Sequence, residues 1–291
     1  MNPIETVRRR IGDAVFERVA GDEGPRRRER IWTAPGPRRF TLDDPIARVH
    51  GDSSMFVGGI RALLLQSLHP LAMAAVDQHS GYRGDPWGRL QRTSGFIAET
   101  TFATTDDADC AVAIVRAVHR RIEGVAPDGR PFRADDPHLL RWVHVAEVDS
   151  FLRAHDRYGA VALSPSERDA YVAQAAHTGV ALGGERIPTT VAELDDALAE
   201  YRPELESTAA AREAGRFILL RPPVPLSQRA PYSLLCAAAI GLLPRWARRP
   251  LRLPYLPITE ATAVRGAGIA MTSTIRWAMA ATPPPSPSLA E

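Results

Sequence analysis

The stretch 85–124 carries the side chains whose types and spacing best suit chemistry. Its first half predicts a helix that begins at Asp85 and Pro86, because aspartate is a favoured N-cap and proline fits the first helical position. Four side chains then recur at helical spacing and share one face: Arg89, Arg92, Thr93 and Phe96. That face would present two guanidinium groups, a hydroxyl and an aromatic ring together.

The second half of this stretch predicts another helix, which starts at Thr105 and has an acidic first turn. Its apolar stripe is expected at Val112, Val115, Val118 and Ile122. His119 lies at the edge of that stripe, so its imidazole should face inward. A histidine that faces inward opposite an arginine and threonine face is the arrangement that a buried anionic prosthetic group requires.

Composition limits the classes of protein to which the chain can belong. The chain has 291 residues, 45% of them hydrophobic, and a net charge of +2, which supports a sizeable core and gives no indication of nucleic-acid binding. All 36 basic residues are arginine, so a single arginine carries less functional weight than usual. Cys110 and Cys236 lie far apart, which disfavours a disulfide framework and a cysteine zinc site. A reducing cytoplasm is the expected location.

No segment predicts a membrane span or an export signal. The run Leu234–Leu243 is the longest apolar stretch, and it has about half of the ~20 residues that cross a bilayer. The arginine-rich segment 244–249 follows it, so contact with an anionic membrane surface stays open. The N-terminal arginines precede no apolar run of signal-peptide length.

The periodicity along the chain predicts an all-α fold made of one multi-helix domain. An N-terminal helix (1–20) and a loop that includes Gly21–Arg30 form a region 1–44, the helical domain covers 45–281, and a disordered tail covers 282–291. Pro70 should break the apolar stretch 53–79. Further helices are expected at 137–158, 164–182, 190–208, 209–220, 227–241 and 260–280.

Several familiar chemistries lack the residues that they need. The chain has no Walker loop, no GxSxG elbow and no HExxH motif. Eight histidines remain, but no two stand four apart as a metal-binding pair, and none forms a Glu-x-x-His pair. A cofactor bound through a single histidine therefore fits this sequence better than a di-metal site.

Three segments together resemble a known family. They are HPLAMAAVDQHSGYRGDPWGRLQRT (69–93), VRAVHRRIEG (115–124) and DDPHLLRWVHVAEVDSFL (135–152). The combination is similar to the oxygenases that include bacterial rubber oxygenase (latex clearing protein) and the MpaB-type oxygenases, over roughly residues 45–250. The resemblance implies a helical domain with a globin-like core, haem b as cofactor, and oxygenase activity on an apolar substrate with dioxygen.

The resemblance also implies roles for particular residues. The Arg116-x-x-His119 segment matches the one that holds the proximal iron ligand, which makes His119 the expected metal ligand. Arg89-x-x-Arg92-Thr93 matches a distal R-x-x-K-T segment, with arginine where the rubber oxygenases have lysine. Three arginines would serve as partners for the propionates or for an iron-bound oxygen species: Arg89, Arg92 and Arg116. Asp77 is the nearest candidate for the catalytic base.

The leading hypothesis is therefore a cytoplasmic haem b oxygenase that acts on an apolar, unsaturated small molecule. Two alternatives from other classes stay open. The first is a haem-binding or redox-sensing protein without turnover, because the distal lysine is missing and no base is assigned. The second is a helical scaffold without a cofactor. His69, His79 and His144 recur in the family-like segments. Core hydrogen bonding is the favoured explanation for each, and orienting helices or lining the pocket is the alternative.

Overall fold

A computed structural model describes residues 3–81 and 84–281. Its helices in chain order are α1 (Pro3–Ala20), α2 (Gly24–Thr33), α3 (Pro45–His50), α4 (Met55–Gln66), α5 (Pro70–His79), α6 (Pro86–Phe102), α7 (Thr105–His119), α8 (Pro137–Tyr158), α9 (Pro165–Leu182), α10 (Val191–Tyr201), α11 (Ala209–Leu220), α12 (Leu226–Leu242), α13 (Arg245–Arg248), α14 (Pro257–Thr259) and α15 (Arg265–Met279). A 3-10 turn (Arg202–Glu204) follows α10, and a π-helix (Glu260–Val264) leads into α15. Two strands, β1 (Glu123–Val125) and β2 (Pro131–Arg133), lie between α7 and α8.

The core is built around the pair α4 and α8, which run antiparallel. Gly58 of α4 lies against Phe151 of α8, while Gln66, at the other end of α4, accepts a hydrogen bond from the Trp142 indole at 3.2 Å. Gly58 permits this approach because a Cβ there would stand 2.9 Å from the Phe151 ring. Helix α12 also packs on α4, and one hydrophobic cluster extends over all three helices.

Helices α4 and α5 meet at a sharp bend of 107°. Pro70 ends the helical run as expected, and the His69 side chain caps α5 by accepting from the backbone N–H of Ala72 at 3.5 Å. Among the described residues, no single helix is long and apolar enough to cross a membrane, and the bent pair α4 and α5 meets that test by length and composition only.

Helices α6 and α7 form a hairpin joined by Ala103 and Thr104. The Asp85 carboxylate caps α6 by accepting from the N–H of Gly88, and the Thr104 hydroxyl caps α7 by accepting from the N–H of Asp107. The chain then turns through the antiparallel strands β1 and β2, where Gly124 pairs with Phe132. The turn between them uses Gly129 at a φ of +88°, a conformation that favours glycine.

The all-α prediction is confirmed over the described residues, whose only sheet is this two-stranded one. The loop expected at Gly21–Arg30 is wrong, because α2 starts at Gly24 with Pro25 in its first turn and carries the charged run on its exposed side. The tail predicted to be disordered, 282–291, lies outside the described residues.

Two adjacent glycines of α4 allow a matched test of the α4–α8 contact. Gly58→Ala should lower the free energy of unfolding by about 1–3 kcal/mol, because the new methyl group overpacks the Phe151 ring. Gly59→Ala should raise it by about 0.5–1 kcal/mol, because no atom lies within 4 Å of the added Cβ and alanine favours the helix. Denaturant titration of the two variants measures both effects, and equal changes would contradict this packing.

Candidate functional site

His119 is the last residue of α7 and is half-buried. Its Nδ1 atom is buried and has no hydrogen-bond partner among the described residues. Burial lowers the pKa of the imidazole, and the nearby Asp135 carboxylate opposes this only in part. The ring is therefore a neutral group with a buried polar atom that protein neighbours leave unsatisfied, which is the state that an iron ligand requires.

The apolar stripe expected on α7 is wrong at its C-terminal end. Val118 is 50% exposed, because the buried side of α7 is formed by Ala108, Ala111 and Val112. Arg116 is also exposed, and it donates from Nη1 to the backbone carbonyl of Ala181, at 3.3 Å, at the end of α9. This bond joins the last turns of α7 and α9, so both helices border the region around His119.

The four residues predicted for the distal side lie at the start of α6 and on α5. Arg89 donates from Nη1 to the Ser80 hydroxyl at 2.9 Å, and Arg92 forms an exposed ion pair with the N-cap Asp85 at 3.3 Å. Thr93 is exposed and donates to the backbone carbonyl of Arg89 at 3.1 Å. Asp77 is half-buried on α5. No described contact of Arg92 or Thr93 reaches His119, so the distal assignment stays a prediction.

One stripe of α4 is incompletely covered by the neighbouring helices. Most of this helix is buried, yet one stripe of it is not: Leu63 is 38% exposed and nothing stands within 4 Å of a Cβ placed on Gly59. Phe56 and Gln66 continue the stripe at helical spacing and are half-buried. A core helix with an open apolar stripe indicates a recess next to it.

The neighbouring stripe of α8 places two ionisable groups at this recess. Gln66 donates from Nε2 to the carbonyl of Val143 at 3.3 Å, which sets the α4 stripe beside His144 and Glu147. Burial lowers the pKa of His144 to about 4 and raises the pKa of Glu147 to about 7. Both side chains nevertheless keep some accessible surface. Strong desolvation together with residual exposure is expected of groups that line an enclosed recess.

Sequence reasoning missed Glu147 and gave His144 no definite role. The His144 Nε2 atom is buried without a hydrogen-bond partner among the described residues, and the ring lies against Gly179 of α9. Glu147 has no arginine three or four positions away on its helix, unlike Asp149, which has Arg153. That missing partner on a largely apolar helix face is the signal that could have identified it.

The family described as ER-bound oxygenase mpaB/B'/Rubber oxygenase, catalytic domain, matches residues 47–279, which is most of the chain. The chain belongs to this family. The resemblance found in the sequence is thereby confirmed, and the protein carries an oxygenase catalytic domain. The matched range contains His119 and both stripes of the recess. No curated protein and no solved structure gives a significant match to the chain.

The raised pKa of Glu147 predicts a pH-dependent loss of stability. The unfolded chain releases this proton near pH 4.5 and the folded chain near pH 7, so stability falls as pH rises through this window. Glu147→Gln should therefore be more stable than wild type above pH 7 by about 3 kcal/mol, at about 1.4 kcal/mol per pH unit, with little difference near pH 4.5.

Denaturant titrations at several pH values measure this difference. Glu17→Gln, which changes an exposed carboxylate on α1, is the matched control and should show no such trend. Parallel pH profiles for wild type and Glu147→Gln would show that Glu147 is not desolvated.

Proposed function

We propose that this protein is a haem b-dependent oxygenase that uses dioxygen to oxidise an apolar small molecule, with His119 as the iron ligand. The observation that carries the proposal is the neutral His119 ring with its buried, unsatisfied Nδ1 atom, within an oxygenase catalytic domain. A metal-bound histidine needs one nitrogen for the metal and a partner for the other. The His119 Nδ1 atom has no hydrogen-bond partner among the described residues, so one ring nitrogen is available.

Two of the arginines assigned by the family resemblance suit a haem group. Arg116 and Arg89 would bind the propionates, because a guanidinium group offers several N–H donors to a carboxylate. Arg116 also donates to the Ala181 carbonyl and Arg89 to the Ser80 hydroxyl. Arg92 stays charged and cannot ligate iron, so its predicted role is to attract an anion. A bound haem would supply the activation of dioxygen, while the protein supplies orientation and electrostatics.

Glu147 and His144 give the recess a means to hold and move a proton. A carboxyl group with a pKa of about 7 is close to equally protonated and ionised at neutral pH, which suits an acid or base in catalysis. The His144 ring, held neutral by burial, offers Nε2 as a second polar atom at the same recess. In this proposal Glu147 therefore carries the proton on its carboxyl oxygen, a role for which Asp77 was the earlier candidate.

The lining of the recess supports an apolar substrate. The α4 stripe offers Phe56, Gly59 and Leu63, which carry no polar side-chain atoms, and Val143 lies opposite on α8. Binding at such a surface is most favourable when apolar ligand atoms cover it and exclude water. We also propose a cytoplasmic location, which is supported by two free cysteines, Cys110 and Cys236, and which fractionation of the producing cell would test.

Haem binding by histidine variants tests the proposal directly. His119→Ala should abolish stoichiometric haem incorporation while circular dichroism stays helical, because the ligand is lost and α7 ends at this residue. The measurement is the Soret band after titration of the purified protein with haemin. His177→Ala is the matched control, because this histidine is exposed on α9 and should leave the band unchanged.

The same titration distinguishes His119 from His144. His144→Ala should keep haem bound and change the band only slightly. A normal band in His119→Ala with loss of haem in His144→Ala would move the ligand to α8, and a wild-type chain that binds no haem would refute the proposal.

A further inference from the structure

A second group of potential ligands, which does not include His119, lies where three segments of the chain meet. His69 precedes α5, His138 lies in the first turn of α8, and Glu204 ends the 3-10 turn after α10. Their ligating atoms all lie within 4.8 Å of one another. The Glu204 Oε2 atom is 2.8 Å from the His138 Nε2 atom and 3.4 Å from the His69 Nε2 atom.

His69 is the most informative member of this group. The residue is 2% exposed, and its Nε2 atom is buried without a hydrogen-bond partner among the described residues. The contact with Glu204 at 3.4 Å is short enough for an ion pair, but its geometry is not that of a hydrogen bond. A buried nitrogen in this state costs free energy unless something else satisfies it.

His138 is held in the tautomer that a metal ligand needs. The Tyr201 hydroxyl donates its one proton to the backbone carbonyl of His138 at 2.8 Å. Its oxygen therefore accepts from the His138 Nδ1 atom, 3.3 Å away, so Nδ1 carries the ring proton. The Nε2 atom is then the ring nitrogen that faces the two oxygens of Glu204, 2.8 and 3.0 Å away. A metal ion between them would replace the proton that this contact otherwise needs.

The other two ligands are compatible with the same cation. The Ala72 N–H donates to the His69 Nδ1 atom, so the ring proton lies on Nε2. Metal binding at Nε2 moves the ring proton to Nδ1 and gives up the contact with the Ala72 N–H, which at 3.5 Å is at the long limit of a hydrogen bond. Glu204 is partly exposed and brings the one negative charge.

We propose that His69, His138 and Glu204 bind a divalent transition metal ion of the zinc or iron(II) class. Two imidazole nitrogens and one carboxylate oxygen are ligands that both ions accept. Bond lengths of about 2.0–2.2 Å in a tetrahedral site place ligand atoms about 3.3 Å apart, and the observed separations lie around this value. His138 and Glu204 are about 40% exposed, so the fourth position faces water.

Such an ion would join three elements, two of which a backbone hydrogen bond already brings together. The N–H of Glu206 donates to the carbonyl of Leu68 at 2.7 Å, next to both Glu204 and His69. The metal would fasten this turn to the starts of α5 and α8. Because the ligands come from distant parts of the sequence, they are close together only in the folded chain, so binding stabilises the folded state.

The test is metal binding by the purified full-length chain after treatment with a chelator. Titration with Co²⁺, monitored by the visible absorption of the bound ion, should give one equivalent bound. Equilibrium dialysis with Zn²⁺ should give the same stoichiometry. The melting temperature should rise with Zn²⁺. His138→Ala and Glu204→Gln should each weaken binding by at least about tenfold and remove this rise. Both residues are partly exposed, so both variants should fold. His177→Ala, at an exposed histidine on α9, is the control.

A second pair of variants examines the tautomer argument. Tyr201→Phe keeps the buried ring and removes only the hydroxyl, so it should weaken Zn²⁺ binding by about tenfold. Tyr232→Phe removes a hydroxyl that donates to the carbonyl of Ile218 at 3.0 Å and should leave binding unchanged. A wild-type chain that binds no Co²⁺ or Zn²⁺, or binding that survives in His138→Ala and Glu204→Gln, would overturn the proposal. Neither outcome bears on haem binding at His119.

Discussion

The buried ion pair between Arg61 of α4 and Asp149 of α8 is the constraint on which the rest of the structure depends. The Nη2 and Oδ2 atoms are 2.6 Å apart, and both side chains are buried. A charge inside a protein that lost its partner would cost several kcal/mol, so the two helices have one favourable register. Arg61 also donates to the Ser150 hydroxyl at 2.6 Å and to the carbonyl of Leu242 at 3.1 Å, which fixes the end of α12 to the same point.

This register also explains why one carboxylate of α8 is paired and the other is not. Glu147 and Asp149 are two positions apart, which places them about 200° apart around the helix. Asp149 therefore faces Arg61 and Arg153, while Glu147 points to another side of the helix. Asp149 is paired with these two arginines, whereas burial raises the pKa of Glu147 to about 7. A single helix thus supplies both the anchor of the fold and the titratable group of the recess.

Sequence reasoning succeeded where the physical cause is local. The cap Asp85, followed by Pro86, predicted the start of α6, because a cap involves residues only a few positions apart. It failed at α2, where a run of charges looks like a loop although one side of it packs on the domain. It failed again at Val118, because helical periodicity gives the relative directions of side chains but not which direction is covered by a neighbour.

The sites follow the same division. His119 was predicted because a short segment resembles that of a known family. Glu147 could not be predicted in this way, because its burial depends on how α8 packs against its neighbours. The contact between His138 and Glu204 joins residues 66 positions apart, so spacing along the chain carries no sign of it.

Both sites depend on the length and register of α8. His138 lies in its first turn and His144 and Glu147 less than three turns further on, while Asp149 holds the helix against α4. The α8 backbone near His138 is fixed by the N-cap Asp136 and by Tyr201, and the backbone near Asp149 is fixed by the buried ion pair. The recess therefore lies on a segment held at both ends. In the proposed oxygenase, a rigid helix of this kind would keep an acid and an apolar surface in fixed positions. A metal ion at His138 would strengthen the first of these two attachments without touching the recess.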